Sequence, residues 1–181
     1  MALKPTIFKV KINLSDFDQN RFDTLQLTIA QHPSETMERM AARILAFCLN
    51  SAEGLTFTKG LCDAEQADIW LKNYHDDIEC WIDVGEPAAE RIKKATRLAK
   101  QVRLYSFNSK SATWWQQEQT KCTDLSVDVF QFDWQHIQQF AALIDRTVEL
   151  SITITDGSLF VTAPPGDCEK LIILQLMNKE Q

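Results

Sequence analysis

Glycine and proline are both scarce, five of each in 181 residues. Tight turns draw on these residue types, so an all-β architecture of short hairpins is disfavoured. No GxGxxG or GxxxxGK[ST] string is present to cradle a nucleotide phosphate. The five cysteines are an odd number, widely separated, with no CxxC pair and no histidine at ligand spacing, which argues against a zinc module and a disulfide framework. A basic excess is also missing. Nineteen Lys and Arg stand against 25 Asp and Glu, for a net charge of −6, so non-specific coating of nucleic acid is excluded and only a local basic face can serve. No apolar run approaches the roughly 18 residues of a membrane span. The opening MALKPTIFKVKINL carries lysines inside its apolar stretch, unlike a signal sequence. The expectation is a cytoplasmic protein without a membrane segment, its reduced Cys48 and Cys80 buried as small hydrophobes.

What is present is an apolar fraction of 45% with 24% charged residues, the composition of one folded domain over residues 1–181. Strand-like runs at 6–14 and 22–30, joined by the polar SDFDQNR, predict an antiparallel pair. HPSETMERMAARILAFCLNSAEG predicts a helix, with Ser34 placed to cap and Glu35 and Glu38 near the positive N-terminal end. Met37, Met40, Ala41, Ile44, Leu45 and Cys48 recur at helical spacing and make it the main core helix. Strand-length runs follow at 55–59, 68–71 and 78–84. Pro87 then opens PAAERIKKATRLAKQ, about four turns of good helix formers, before a strand at 102–107. Residues 34–107 thus read as helix, three strands, helix, strand. Beyond them, helices at 112–121 and 134–145 alternate with strands at 127–132, 148–155, 159–162 and 168–176.

Chemistry concentrates where two acids, Asp68 and Asp83, stand at the ends of neighbouring strands. If those strands pair, the carboxylates converge as the hard oxygen ligands that Mg²⁺ or Mn²⁺ takes; otherwise they are solvated turn residues. On the next helix Ile92, Ala95, Leu98, Ala99 and Val102 form the apolar stripe, with Lys93, Arg97 and Lys100 opposite. Arg91 and Lys94 fall on the flanks and can reach over the sheet edge. A lysine beside metal-ligating acids orients water or offsets transition-state charge, whereas a plain cationic rim only covers apolar surface with its stems. Arg91, Lys93, Lys94, Arg97, Lys100 and Arg103 together are the candidate nucleic-acid-binding face. Trp114 and Trp115 either stack on bases or pack inside; Trp70, Trp81 and Trp134 are assigned to the core. The three histidines are scattered, and no Ser-His-Asp or Cys-His constellation can be assembled.

The strings HPSETMERM, FTKGLC, ADIW, IECWIDVGEP and ERIKKA resemble the YaeQ family, and the likeness runs from MALKPTIFKVKINL to DRTVELSITITDGSLFV. The resemblance implies an α/β (α+β) fold with a restriction endonuclease-like, PD-(D/E)xK core, to which an N-terminal strand pair and a C-terminal sheet extension are added. It makes Asp68 the motif's first acid, with Ala67 in the usual place of proline, and Asp83 the second. Gly85 occupies the lysine position. An amine from the following helix would then substitute, Lys94 first and Lys93 second. Glu38 resembles the acid such folds supply from the first helix, with Glu35 as its competitor; Glu86, directly after Gly85, is either a supporting acid or, if the strand continues, turned away from Asp83's side by alternation. The implied activity is Mg²⁺- or Mn²⁺-dependent phosphodiester hydrolysis on nucleic acid, with Glu38, Asp68 and Asp83 on the metal. The alternative is a non-catalytic module that keeps the fold and binds nucleic acid or protein.

Overall fold

Strict alternation builds the first strand. In β1 (Thr6–Asp16), Phe8, Val10, Ile12 and Leu14 are buried while Lys9 and Lys11 face water, so one face meets the core and the other is solvated. The computed structural model describes residues 4–59, 61 and 63–163, and the backbone of 167–177. After β1 come β2 (Arg21–Gln31), α1 (Met37–Leu49), β3 (Thr56–Phe57), β4 (Ile69–Lys72), β5 (Ile78–Val84), α2 (Ala89–Leu98) and β6 (Ala99–Ser106). The chain continues through α3 (Ser111–Cys122), β7 (Asp128–Phe132), α4 (Trp134–Ala142), β8 (Thr147–Thr155), β9 (Ser158–Ala163) and β10 (Asp167–Met177). The order of helices and strands is the one read from the sequence.

The strands form two sheets that share β10, in the order β2-β1-β8-β9-β10-β7-β6-β5-β4-β3. The first half of β10 pairs with β9 and the second half with β7. Residues 40–48 of α1 are buried without interruption, as expected of a helix enclosed on all sides. With α4 it shares a core that includes Ile12, Ile29, Ile82, Phe132 and Leu150. A second apolar cluster joins α2 and α3 to Trp81, Val102, Leu104 and Val129, so helices lie on both sides of the β4–β7 region. No helix among the described residues is long and apolar enough to cross a membrane.

Several local expectations are corrected. Thr36, not Ser34, caps α1: its Oγ1 accepts from the Arg39 amide at 3.2 Å, while Ser34 is engaged with His32. Glu35 therefore precedes the helix, and Glu38 alone lies in the first turn. The third strand shrinks to Thr56–Phe57. The second helix lasts ten residues rather than four turns, because Ala99 turns extended (φ −124°, ψ 150°) and enters a parallel ladder opposite Ile78. Leu98, placed in the buried stripe by helical arithmetic, is consequently 49% exposed. Trp115 is buried, but Trp70, Trp114 and Trp134 are only half-buried. Cys48, Cys80 and Cys122 are buried free thiols, and burial pushes the Cys48 thiol up to about 12.

Candidate functional site

An arginine in the middle of a buried helix sets the site's geometry. Arg43 lies within the apolar run of α1 at 3% exposure, and a guanidinium out of water needs an anionic, hydrogen-bonding partner. Glu35 is that partner. Arg43 Nε donates to its Oε1 and Nη2 to its Oε2, both at 2.7 Å, the bidentate fork that suits Arg and carboxylate. Glu35 Oε1 also accepts from Arg39 Nη1 at 2.8 Å. Arg39 Nη2 in turn donates to Asp68 Oδ1 at 2.7 Å, and the Val84 amide donates to Asp68 Oδ2 at 2.8 Å. A continuous charged chain thus runs from inside α1 to the ends of β4 and β5.

The two strands bring the acids together. Ile69 faces Ile82 in the antiparallel ladder, and Asp68 and Asp83 stand one step further along it. They are 3% and 4% exposed, on the wall of a cleft of about 420 Å³ also lined by Arg39, Leu61, Asp63, Glu86, Pro87, Arg91 and Phe107. From α2, Arg91 forks onto Asp83, Nε to Oδ2 at 2.8 Å and Nη2 to Oδ1 at 2.9 Å. The same guanidinium donates to the Ala64 and Gln66 carbonyls and so fixes the loop before β4. Burial pushes the Asp83 carboxyl above its ordinary value; the Arg91 hydrogen bonds oppose that, and the charge of Asp68 adds to it.

The structure brings Asp68 and Asp83 together but leaves Glu38 and Lys94 apart from them. Glu38 is half-buried and does not line the cleft. Its competitor Glu35 lies behind Arg39, both oxygens occupied by arginine. Lys94 pairs with Glu65, and Lys93 points to solvent. The cation that reaches over the sheet edge is Arg91. Gly85 explains why no lysine stands at its position: its φ of +126° strains any residue with a Cβ. Glu86 accepts from the Phe107 and Asn108 amides and the Ser111 hydroxyl, which fixes the β6–α3 turn. Among the described residues no group of three or more His, Cys, Asp or Glu is disposed to hold a metal ion.

The six cations proposed as a basic face meet different surroundings. Lys100 pairs with Glu79 at 2.7 Å, Arg103 donates to Asn50, Lys94 pairs with Glu65, and Arg91 turns into the cleft. Lys93, Arg97 and, despite its ion pair, Lys100 are exposed. Of the Trp114–Trp115 pair, Trp115 packs inside, while Trp114 is half-buried with its indole donating to the Pro87 carbonyl at 2.9 Å. Sequence reasoning missed Arg39 and Arg43. The signal was available: Arg43 sits at i+3 from Met40 and i−4 from Phe47, inside the apolar stripe, and that position demands a buried acid.

Comparison with known proteins places this arrangement in context. The profile of the family described as YaeQ protein matches residues 1–171. The "Uncharacterized protein YaeQ" of Escherichia coli (strain K12) is 42% identical over 171 residues, spanning 93% of this chain and 94% of that protein. The protein of the same description from Salmonella typhi is 43% identical over the same shares. The crystal structure of a YaeQ protein from Pseudomonas syringae superposes with a TM-score of 0.92 at 29% identity, over 97% of both chains. That of the Xanthomonas axonopodis pv. citri YaeQ protein gives the same TM-score and identity, over 97% of this chain and 99% of the other.

Two outcomes follow from the charged chain. Glu35→Ala leaves Arg39 and Arg43 without their shared anion and is expected to lower stability by about 3–5 kcal/mol, read as a lower denaturant midpoint; an unchanged midpoint refutes the role given to Glu35. For Asp83, the raised folded-state value means that the native state holds the proton longer than the unfolded chain. Its contribution to stability therefore falls as pH rises from the ordinary carboxylate value of 3.8 upward. Asp83→Asn lacks that slope, so the stability difference between variant and wild type moves in the variant's favour over this window. Parallel pH–stability curves for the two proteins contradict it.

Proposed function

The chain belongs to the YaeQ family, and from that premise we propose that the Asp68–Asp83 cleft is a variant nuclease-type site acting on the phosphodiester backbone of nucleic acid with a divalent cation. The observation that carries this reading is the meeting of two buried carboxylates from adjacent strands with a cation from the following helix. Mg²⁺ is commonly held by one or two carboxylates, with water and substrate phosphate completing its shell, so Asp68 and Asp83 are a donor set of suitable chemistry. Four carboxylates line the cleft, those of Asp63, Asp68, Asp83 and Glu86, against the guanidiniums of Arg39 and Arg91, a balance that favours a cation. A divalent ion held there supplies Lewis-acid stabilisation to a phosphodiester.

The chain's own groups do the rest. Arg39 and Arg91 hold the two acids in place when the cleft is empty, and the same planar forks match the oxygens of a phosphate. An arriving phosphodiester therefore gives both guanidiniums a second anionic partner and frees carboxylate oxygens. Arg91 takes the part that the sequence suggests for Lys94. Leu61, Pro87 and Phe107 supply the apolar wall of the cleft.

One observation favours a second reading. Each oxygen of Asp68 and Asp83 already accepts a hydrogen bond from Arg39, Arg91 or the Val84 amide, so the pairs can be a permanent lock in a non-catalytic binding module. Calorimetric titration with Mn²⁺ and Mg²⁺ separates the two. On the nuclease reading wild type binds the ion, Asp83→Ala does not, and Arg91→Ala binds it more tightly because its competitor is gone. Incubation of single- and double-stranded DNA and RNA with Mn²⁺ then gives cleavage that Asp68→Ala abolishes. Absence of ion binding by both wild type and a folded Arg91→Ala protein overturns the nuclease reading and leaves the lock.

A further inference from the structure

The strand order leaves β2 at one edge of the sheet and β3 at the other. The two edges face each other across a groove of about 740 Å³, lined by residues 21–28 of β2 on one side and by Phe47, Leu55, Thr56 and Phe57 on the other. Eight consecutive residues of an extended strand span about 27 Å. That is the shape of a trough for a chain rather than a pocket for a compact ligand.

The backbone of β2 shows which groups face the trough. Thr24 N–H is taken by the Asp23 carboxylate at 2.7 Å, and the Ala30 carbonyl accepts from Arg43 Nη2 at 3.2 Å. Both groups therefore point away from β1, and the period of two puts the backbone N–H and C=O of Gln26 and Thr28 on the same outer side. Among the described residues nothing bonds to those groups of Gln26 and Thr28. Exposed edges of this length are normally blunted by lysine, proline or a bulge. The sequence RFDTLQLTIAQ has no lysine or proline, and its register with β1 runs unbroken through eleven pairs.

We propose that this edge is a docking site for an extended peptide segment of a partner protein, which adds as a strand beside β2 and fills the trough between the two sheet edges. An extended backbone is the ligand whose donors and acceptors repeat at the spacing that β2 presents. Alternate side chains of the guest would meet Leu25, Leu27, Phe47 and Phe57, which selects apolar residues at every second position. Asp23 and Glu53 outnumber Arg21 along the trough, which favours a basic residue in the guest. The trough shares no lining residue with the Asp68–Asp83 cleft, and the proposal does not depend on that cleft's reading.

The test is selection from a displayed library of random decapeptides, with wild type as bait and Gln26→Pro as counter-bait. Gln26 is exposed, and proline there removes an outward N–H while leaving the β1 ladder intact, a substitution edge strands accept. Circular dichroism of the variant checks that it folds. The expected result is a set of proline-free peptides with alternating apolar residues, whose synthetic copies bind wild type and bind Gln26→Pro about tenfold or more weakly. Bound peptide slows amide exchange at Gln26 and Thr28. Failure to enrich any peptide sensitive to Gln26→Pro overturns the proposal, as does protection mapped outside β2. Concentration-dependent dimerisation of wild type that Gln26→Pro abolishes also overturns it, since the edge would then be filled by a second copy.

Discussion

The bond between Arg43 and Glu35 is the interaction on which the rest of the site depends. A helix enclosed on all sides has no route to water for a charged side chain, so Arg43 requires an anion held at its own depth. Supplying it fixes Glu35 just before the helix, and Glu35 in turn holds Arg39 where it meets Asp68. The ends of β4 and β5 are thereby tied to the central helix through ionic hydrogen bonds rather than apolar contact. Arg91 completes the arrangement from the other side of the sheet by joining α2 to Asp83 and to the loop before β4. Each anion of this set has a cation in contact, which is the condition for keeping six charges in or near the interior.

This wiring gives the cleft a double character. The pairs that stabilise the empty site are made of the two group types that a metal–phosphate unit would seek, carboxylate for the ion and guanidinium for the phosphate. Stability and recognition therefore draw on the same atoms, and any ligand must compete with contacts already formed. The open edge of β2 poses a different problem. There β2 ends the sheet beside a trough of mixed polarity, with the backbone groups of Gln26 and Thr28 unbonded among the described residues, so recognition at those positions needs no exchange of existing bonds.

Much of the fold was legible in the sequence because its signals are local. Alternation in residues 6–14, the helical spacing of Met40, Ile44 and Cys48, and the apolar run ending at Asp83 identify their elements whatever they pack against. Boundaries were less legible where tertiary pairing decided them: Ala99 leaves its helix because a parallel ladder with β5 begins there. The site was legible in half. Asp68 and Asp83 stand at predictable strand ends, but the choice of Arg91 over Lys94, and of Glu35 as a buried counter-ion rather than a cleft ligand, rests on side-chain reach across elements distant in the chain.

The sequence by itself determined the order of helices and strands, the apolar faces and the two acids, since these follow from hydrophobic periodicity and local propensity. Tertiary structure alone decided which charge neutralises which, why position 85 must be glycine, and which strand edge stays open. Those outcomes depend on distances between segments brought together by folding, and Coulombic and hydrogen-bond energies fall off over a few ångströms that no spacing along the chain encodes.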